Sequence, residues 1–202
     1  NTLSEAISQE KVDYPEILDN DPTNFSDELK FKTKELKIAI EKEYPFISKK
    51  GHQIITFKQG SKGEPKKTRI GICFNGRQSP GGHNIILGLL GPNTEVFGFI
   101  GGNKGLFNQK WIKITHENMK NYVNQSDFIS LADQATELGL RLILLKHKDF
   151  KQLDLDGLIL VGASHTLTDG LILANYFIEN GVKTAINCVP CTIDNNVLYK
   201  DL

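Results

Sequence analysis

The apolar run Gly157-Leu-Ile-Leu-Val161 is followed directly by the small and polar residues Gly162-Ala-Ser-His-Thr166 and then by a helix-forming segment that reaches about Asn180. This order predicts a buried strand, a turn and a helix. Strands that alternate with helices favour a parallel sheet with helices on both faces. We therefore expect a three-layer, Rossmann-like α/β fold. The other predicted strands lie at 69–74, 94–100 and 184–188.

The remaining segments predict the organisation of the chain. Residues 1–67 are expected to form an N-terminal extension, and residues 68–202 the α/β domain. In the extension, residues 1–25 are polar and interrupted by prolines, which is typical of an arm, and residues 26–43 predict a helix that stops at Tyr44-Pro45. Three further expectations are a linker at 59–67, helices at 83–90 and 131–138, and a helix or strand at 142–145.

The composition is that of a globular protein. The 202 residues include 39% hydrophobic residues, and Lys+Arg and Asp+Glu both number 24, so the formal net charge is zero. This balance argues against nucleic-acid binding, which draws on an excess of positive charge. The three cysteines, with only one Cys-x-x-Cys pair, favour a reduced intracellular chain over a zinc site. No membrane span or signal peptide is predicted, so we expect a cytoplasmic protein.

Four loops follow the predicted strands, at 75–82, 101–105, 162–166 and 189–196. Ligands of such sheets bind beyond the carboxyl ends of the strands. The glycines of the first two loops allow backbone N–H groups to approach an anion closely. The alternative interpretation is that these loops are only tight turns between strand and helix. The first loop lacks the Gly-Lys-Ser/Thr ending of a Walker A loop.

The same loops carry a resemblance to a known family. Gly76-Arg-Gln-Ser-Pro-Gly-Gly-His-Asn84 resembles Gly-Gly-Gln-Ala-Pro-Gly-Gly-His-Asn, the first phosphate loop of pyrophosphate-dependent phosphofructokinases. Gly98-Phe-Ile-Gly-Gly-Asn-Lys-Gly105 is similar to their Gly-Phe-x-Gly-Gly-Pro-x-Gly. Asp156-Gly-Leu-Ile-Leu-Val-Gly162 and Val189-Pro-Cys-Thr-Ile-Asp-Asn-Asn196 resemble their Leu-Asp-Gly-Leu-Val-x-x-Gly and Pro-Lys-Thr-Ile-Asp-Gly-Asp. The motifs stand in the family's order along the chain.

The resemblance implies transfer of a phosphoryl group from pyrophosphate, or from ATP in sister enzymes, to the 1-hydroxyl of fructose 6-phosphate, with Mg²⁺ on the donor. It also implies roles for the loops. The first loop holds the donor phosphates, a Gly-Gly-Asp-Asp-Ser loop supplies a carboxylate for the metal, and the aspartate of Thr-Ile-Asp accepts the hydroxyl proton. Thr192 and Asp194 then occupy the catalytic positions. The donor-binding positions are Gly76, Arg77, Gly101, Gly102, Gly162, Ser164, His165 and Thr166.

Several of these positions depart from the family pattern. Arg77 replaces the second glycine of the first loop, and its side chain would crowd the donor phosphate or pair with an anion. Ser164 and His165 replace the two acidic residues, so a hard anionic ligand for Mg²⁺ is lost. Cys191 replaces the lysine before Thr-Ile-Asp, and Asn196 replaces the second aspartate. We therefore expect no independent catalysis and no metal ligand set at this site.

These observations lead to one leading hypothesis and two alternatives. The leading one is a regulatory or structural copy of a glycolytic phosphofructokinase, similar to the α-type subunit, in which Asp194 is vestigial. Such a copy would be a piece of a longer, oligomeric protein, completed by the rest of its chain or by a catalytic copy. The alternatives are an active enzyme that uses pyrophosphate or ATP, and a sensor of sugar phosphates or nucleotides without catalysis.

Overall fold

The computed structural model describes residues 22–28, 34–50, 53–59, 66–75, 81–120 and 153–191. The chain divides into two compact units, Asn1–Lys66 and Lys67–Leu202. The predicted elements at 131–138 and 142–145 lie outside the described residues. None of the described helices is long and apolar enough to cross a membrane.

The first unit contains a two-stranded antiparallel ribbon and two helices. The ribbon pairs Pro22 with Gln59 and Glu28 with Gln53. The elements of this unit are strand β1 (Pro22–Glu28), helix α1 (Lys34–Glu43), helix α2 (Pro45–Ser48) and strand β2 (Gln53–Gln59).

The helix predicted over 26–43 is wrong at its start, because Ser26 to Glu28 belong to β1 and the helix begins at Lys34. The physical reason is a long-range partner. Strand β2 contains two isoleucines, a threonine and a phenylalanine, which are good strand formers, and pairing with it decides the conformation of 22–28. The predicted stop is confirmed: α1 ends at Glu43, and Tyr44, with a φ of −126° and a ψ of 64°, is no longer helical before Pro45.

The second unit is a five-stranded sheet with helices on both faces. Its strands are β3 (Thr68–Phe74), β4 (Thr94–Phe99), β5 (Trp111–Ile114), β6 (Gly157–Gly162) and β7 (Ala185–Pro190). Its helices are α3 (Gly82–Leu89), α4 (Gly102–Phe107), α5 (His116–Met119) and α6 (Ser164–Glu179). The predicted strands and the helices that follow β3 and β6 are confirmed to within a few residues.

The strand order in this sheet is β5-β4-β3-β6-β7. Strands β4, β3, β6 and β7 are parallel, as expected, but β5 runs antiparallel to β4. The prediction of a wholly parallel sheet is therefore wrong at one edge. The chain reverses through Gln109, which has a φ of 56°. This strand has only four residues, one of them a lysine, so its sequence lacks the longer apolar run by which the other strands are predicted, and only Ile114 is buried.

Two apolar layers cover the two faces of the sheet. One layer joins side chains of the strands, such as Cys73 and Leu160, to α4 and α6 through Leu106, Leu173 and Phe177. The other layer joins Ile72, Val96 and Val161 to Ile86 of α3 and Met119 of α5. Alternating residues of one strand therefore enter different layers, which is the three-layer α/β arrangement expected from the sequence.

Candidate functional site

The sheet changes its direction of progression between β3 and β6. The connection from β3 through α3 leads to β4 on one side, and the connection from β6 through α6 leads to β7 on the other. At such a point the loops diverge and leave a crevice at the carboxyl edge of the sheet, where ligands of open α/β sheets bind. Asn75 directly follows β3 and Gly162 ends β6. The Asn75 N–H donates to the Val161 carbonyl oxygen at 2.7 Å, so these two strand ends lie side by side.

Gly162 is a position of close backbone approach at this edge. A Cβ at Gly162 would overlap the carbonyl oxygen of Asn75 and the Oγ1 of Thr166. The Gly162 carbonyl oxygen also accepts a hydrogen bond from the Cys191 N–H at 2.9 Å, which brings the end of β7 to the same edge. The backbones that follow β3, β6 and β7 are therefore joined at a position that only glycine can occupy without displacement.

The residues predicted at 162–166 do not form one continuous turn. Helix α6 begins at Ser164, after the extended residue Ala163, and no side chain caps it. Ser164 and His165 are exposed in its first turn. Thr166 is buried, with its hydroxyl group facing Gly162. The structure thus places two of the predicted donor-binding side chains at the surface of the edge and the third inside the packing.

Asp169 lies one helical turn after His165 and is buried. Burial raises the pKa of this carboxyl group, and the positive charge of His165 partly opposes the effect. Burial also raises the pKa of the Cys188 thiol, and the charge of Asp169 adds to that shift. Helix α6 therefore carries a buried carboxyl group that interacts electrostatically with a histidine and a thiol, and desolvation there disfavours its charged form.

We expect Asp169→Asn to raise the free energy of unfolding more at pH 7 than at pH 4. A raised pKa means that the folded chain holds the proton more tightly than the unfolded chain does. The carboxyl group is therefore best tolerated below its unfolded pKa of about 3.9, and stability is lost as the pH rises through the folded value. Urea unfolding at the two pH values measures the difference, with Glu179→Gln at the exposed end of the same helix as control. A larger gain at pH 4 would contradict this expectation.

The second glycine loop is shorter than predicted. Gly101 has a left-handed backbone with a φ of 79°, but the residues from Gly102 onward form α4, so the turn expected over 101–105 is wrong beyond Gly101. The reason lies at Gly105, where a Cβ would overlap the carbonyl oxygen of Ile100. Without a side chain at this position, the helix can fold back directly onto the end of β4.

Two asparagines at this edge are buried. Asn75, after β3, is 3% exposed, and Asn103, in the first turn of α4, is 6% exposed. The thiol of Cys73 lies between them, with its Sγ 3.1 Å from the Asn75 Oδ1 and 3.8 Å from the Asn103 Oδ1. Burial raises the pKa of this thiol, so it remains a neutral S–H donor. Within the described residues, neither asparagine Nδ2 has a hydrogen-bond partner.

Neither Asn75 nor Asn103 is among the predicted site residues. Two signals in the sequence could have found them. Asn75 is the first residue after the apolar run of β3, where a side chain reaches the carboxyl edge. Asn103 stands where the phosphofructokinase pattern Gly-Phe-x-Gly-Gly-Pro-x-Gly has proline.

Four predicted site residues, Gly76, Arg77, Thr192 and Asp194, lie outside the described residues. The described part of the chain brings the others to the carboxyl edge: Gly101 and Gly102 at the end of β4, and Gly162, Ser164, His165 and Thr166 at the end of β6. The described residues include no group of three histidine, cysteine, aspartate or glutamate side chains that could hold a metal ion.

Comparison with known proteins agrees with this arrangement. The chain is 35% identical over 136 residues to the pyrophosphate–fructose 6-phosphate 1-phosphotransferase subunit alpha of Solanum tuberosum, a match that covers 64% of the chain. It is 29% identical to the subunit beta 2 of Arabidopsis thaliana over 177 residues, which cover 81% of the chain. It is 31% identical to the enzyme of Porphyromonas gingivalis over 169 residues, which cover 75% of the chain. The chain is a relative of pyrophosphate-dependent phosphofructokinases.

The resemblance identified from the loop motifs is therefore confirmed. The chain spans 22% to 30% of the length of these three relatives. A crystal structure of Pichia pastoris phosphofructokinase in the T-state superposes on 68% of this chain and 16% of its own, with a TM-score of 0.55 and 13% identity, and so shares its fold. No model of a protein family matches the chain.

Proposed function

We propose that this chain forms the donor-phosphate half of a phosphofructokinase-type protein of the pyrophosphate-dependent group, in a copy whose role is regulatory or structural. The first turn of α6 carries this proposal. Its two exposed side chains at the carboxyl edge are Ser164 and His165, at the positions where the family pattern has two acidic residues. The fold, the order of the loops and the relatives support the family, and the side chains of this turn argue against phosphoryl transfer.

The residues of this edge that the structure describes do not fit Mg²⁺. The ion prefers carboxylate and other oxygen ligands in octahedral geometry, and a neutral hydroxyl group or an imidazole cannot replace the missing acid. Asp169, the carboxyl group next along α6, is buried in the packing, so it is not presented to an ion at the surface of the edge. Since charge neutralisation dominates phosphoryl transfer, a site without the metal gives little acceleration.

The remaining parts of the proposal concern the assembly. The names of several relatives distinguish subunits alpha and beta. We propose that this chain likewise works beside an active copy, or beside further segments of its own protein, in an oligomer in the cytoplasm. The whole protein would take part in the transfer of a phosphoryl group from pyrophosphate or ATP to fructose 6-phosphate. An active enzyme is the competing function, and it requires a carboxylate for the metal from elsewhere.

Calorimetric titration of the chain with pyrophosphate, with and without Mg²⁺, tests the proposal. We expect the affinity to agree within about twofold in the two conditions, because the turn lacks the oxygen ligands that the ion needs. Ser164→Asp restores one carboxylate and should add a metal-dependent gain in affinity. Thr168→Asp, an equal change in charge at an exposed position one turn later, should not. Pyrophosphate binding by the unmodified chain that depends on Mg²⁺ would refute the regulatory or structural role.

A further inference from the structure

Strand β5 carries apolar side chains that are exposed. Trp111 and Ile112 of this strand and Ile100, which directly follows β4, are each 40% to 42% exposed. The Ile100 N–H donates to the Lys110 carbonyl oxygen at 2.9 Å, so the end of β4 and the start of β5 lie side by side. Three of the four large apolar side chains that are exposed among the described residues therefore cluster at one edge of the sheet, which indicates an interaction surface.

The backbone of β5 can accept a further strand. In the described sheet β5 is the last strand, and it runs antiparallel to β4. Alternate residues of an antiparallel strand direct their N–H and carbonyl groups towards the neighbour. Because the Lys110 carbonyl oxygen accepts from Ile100, the backbone groups of Trp111 and Lys113 point outwards. The Lys113 carbonyl oxygen accepts from Asn118, but within the described residues no hydrogen bond uses the outward groups of Trp111.

The charge of this edge is positive. Residues 96–116 contain three lysines and no acidic residue. Lys113 forms an exposed ion pair with Glu95 at 2.6 Å, and Lys110 has no ion-pair partner within the part of the chain that the structure describes. Lysine on an edge strand disfavours pairing with a like strand. A strand that pairs with β5 should therefore be acidic.

The order of residues along the edge defines the pattern of the partner. From Lys110 to Lys113 the sequence is lysine, tryptophan, isoleucine and lysine. The matching strand has two apolar residues between two acids, and it fits in either direction. Two copies of β5 fit one another poorly, because the register that pairs tryptophan with isoleucine also places Lys110 opposite Lys113. Like charges directly opposite one another are destabilising.

The chain's own sequence contains this complementary pattern. Residues 16–19 are Glu-Ile-Leu-Asp, and two aliphatic residues between two acids occur nowhere else in the 202 residues. The surrounding sequence has the same sign of charge, since residues 1–21 include six acidic residues and one lysine. A second copy of the chain therefore offers a strand whose apolar and acidic residues match those of the β5 edge.

We propose that β5 is a docking edge for residues 16–19 of a second copy of this chain, which add to the sheet as a further strand. The added strand pairs with the outward backbone groups of Trp111, covers the exposed apolar side chains and places its acids beside the lysines. Since each copy carries both the segment and the edge, two reciprocal contacts form a closed, symmetric dimer. Each contact is small, so the dimer is weak and transient. The inference goes beyond the proposed function and does not depend on it.

An exchange of charges, followed by sedimentation of the full chain, tests the proposal. We expect the unmodified chain to dimerise with a dissociation constant of about 10–500 µM. The segment variant carries Glu16→Lys and Asp19→Lys, and the edge variant carries Lys110→Glu and Lys113→Glu. Each variant alone should dimerise at least about tenfold more weakly, because its opposite charges become like charges. In a 1:1 mixture the segment of each variant meets the edge of the other with opposite charge, so the dimer should return.

Compensating changes at exposed positions of the first unit keep every chain at a net charge of zero. The segment variant receives Lys42→Glu and Lys50→Glu, and the edge variant receives Glu41→Lys and Glu43→Lys. The matched control carries all four of these compensating changes and no others, and it should dimerise as the unmodified chain does. Net charge then cannot account for the loss of the dimer or for its return.

A second measurement does not depend on the folding of a variant. A synthetic peptide with the sequence of residues 12–21, added in excess, should dissociate the dimer of the unmodified chain. The same peptide with lysine in place of Glu16 and Asp19 should not. A chain that remains monomeric at about 500 µM, a dimer that persists in either variant or a dimer that the first peptide leaves intact would overturn this inference. None of these results affects the proposed function, which is tested by pyrophosphate and Mg²⁺.

Discussion

Gly162→Ala is expected to destabilise the α/β unit by about 3 kcal/mol or more and to abolish any anion binding at the carboxyl edge. The added Cβ would overlap the carbonyl oxygen of Asn75, which is backbone and cannot rotate away. Relief requires the ends of β3 and β6 to separate, which breaks the hydrogen bond from Asn75 to Val161. Urea unfolding measures the loss of stability, and calorimetric titration with pyrophosphate measures the loss of binding.

Gly88→Ala provides the matched control for this substitution. Gly88 lies inside α3, and a Cβ there meets nothing within 4 Å. Since alanine is the better helix former, the control should stabilise the chain by about 0.5–1 kcal/mol. If Gly162→Ala unfolded at the same urea concentration as the unmodified chain, the close approach of the two strand ends would not exist in solution.

Gly170→Ala is the second substitution with a large expected effect. Gly170 is the point at which α6 packs on β7, and a Cβ there would overlap the Sγ of Cys188 while making only ordinary contact with Leu160 at 3.5 Å. We expect a loss of about 2–3 kcal/mol from overpacking. The obstacle is one side-chain atom, so it can be removed, in contrast to the backbone atom that faces Gly162.

A double-mutant cycle separates steric overlap from a general weakness of the helix. Cys188→Ala alone should cost about 1 kcal/mol or less for the lost sulfur atom. In Gly170→Ala combined with Cys188→Ala, the new methyl group takes the space that the sulfur leaves, so the pair should be more stable than the sum of the single changes predicts by at least about 1 kcal/mol. Additive losses would show that the contact between α6 and β7 is looser than described.

The sequence predicts the parts of the fold that rest on local pattern. Strand β6 and helix α6 are recognisable because an apolar run of strand length precedes a helix-forming segment that extends to its natural end near Asn180. The carboxyl edge could be predicted as well, because parallel strands bring their following loops to one side. Ser164 and His165 therefore lie at the edge, as expected from the loop order.

The missed elements depend on partners that are distant or on backbone geometry. Strand β1 forms because residues 53–59 pair with it, and no property of 22–28 alone reveals that partner. Strand β5 depends on the reversal at Gln109 and buries only Ile114. The buried state of Asn75 and Asn103 could not be predicted either, because asparagine is mostly exposed in proteins and only the packing around Cys73 shows otherwise.

The edge strand also determines how these experiments can be followed. Trp111, the only tryptophan of the chain, lies in β5, is 40% exposed and meets the ring of Phe97 edge-on, with 5.3 Å between the ring centroids. Its emission should shift to longer wavelength when the sheet loses this contact. Tryptophan fluorescence, excited selectively, therefore reports melting of the second unit, and the transition of the first unit would have to be followed by circular dichroism.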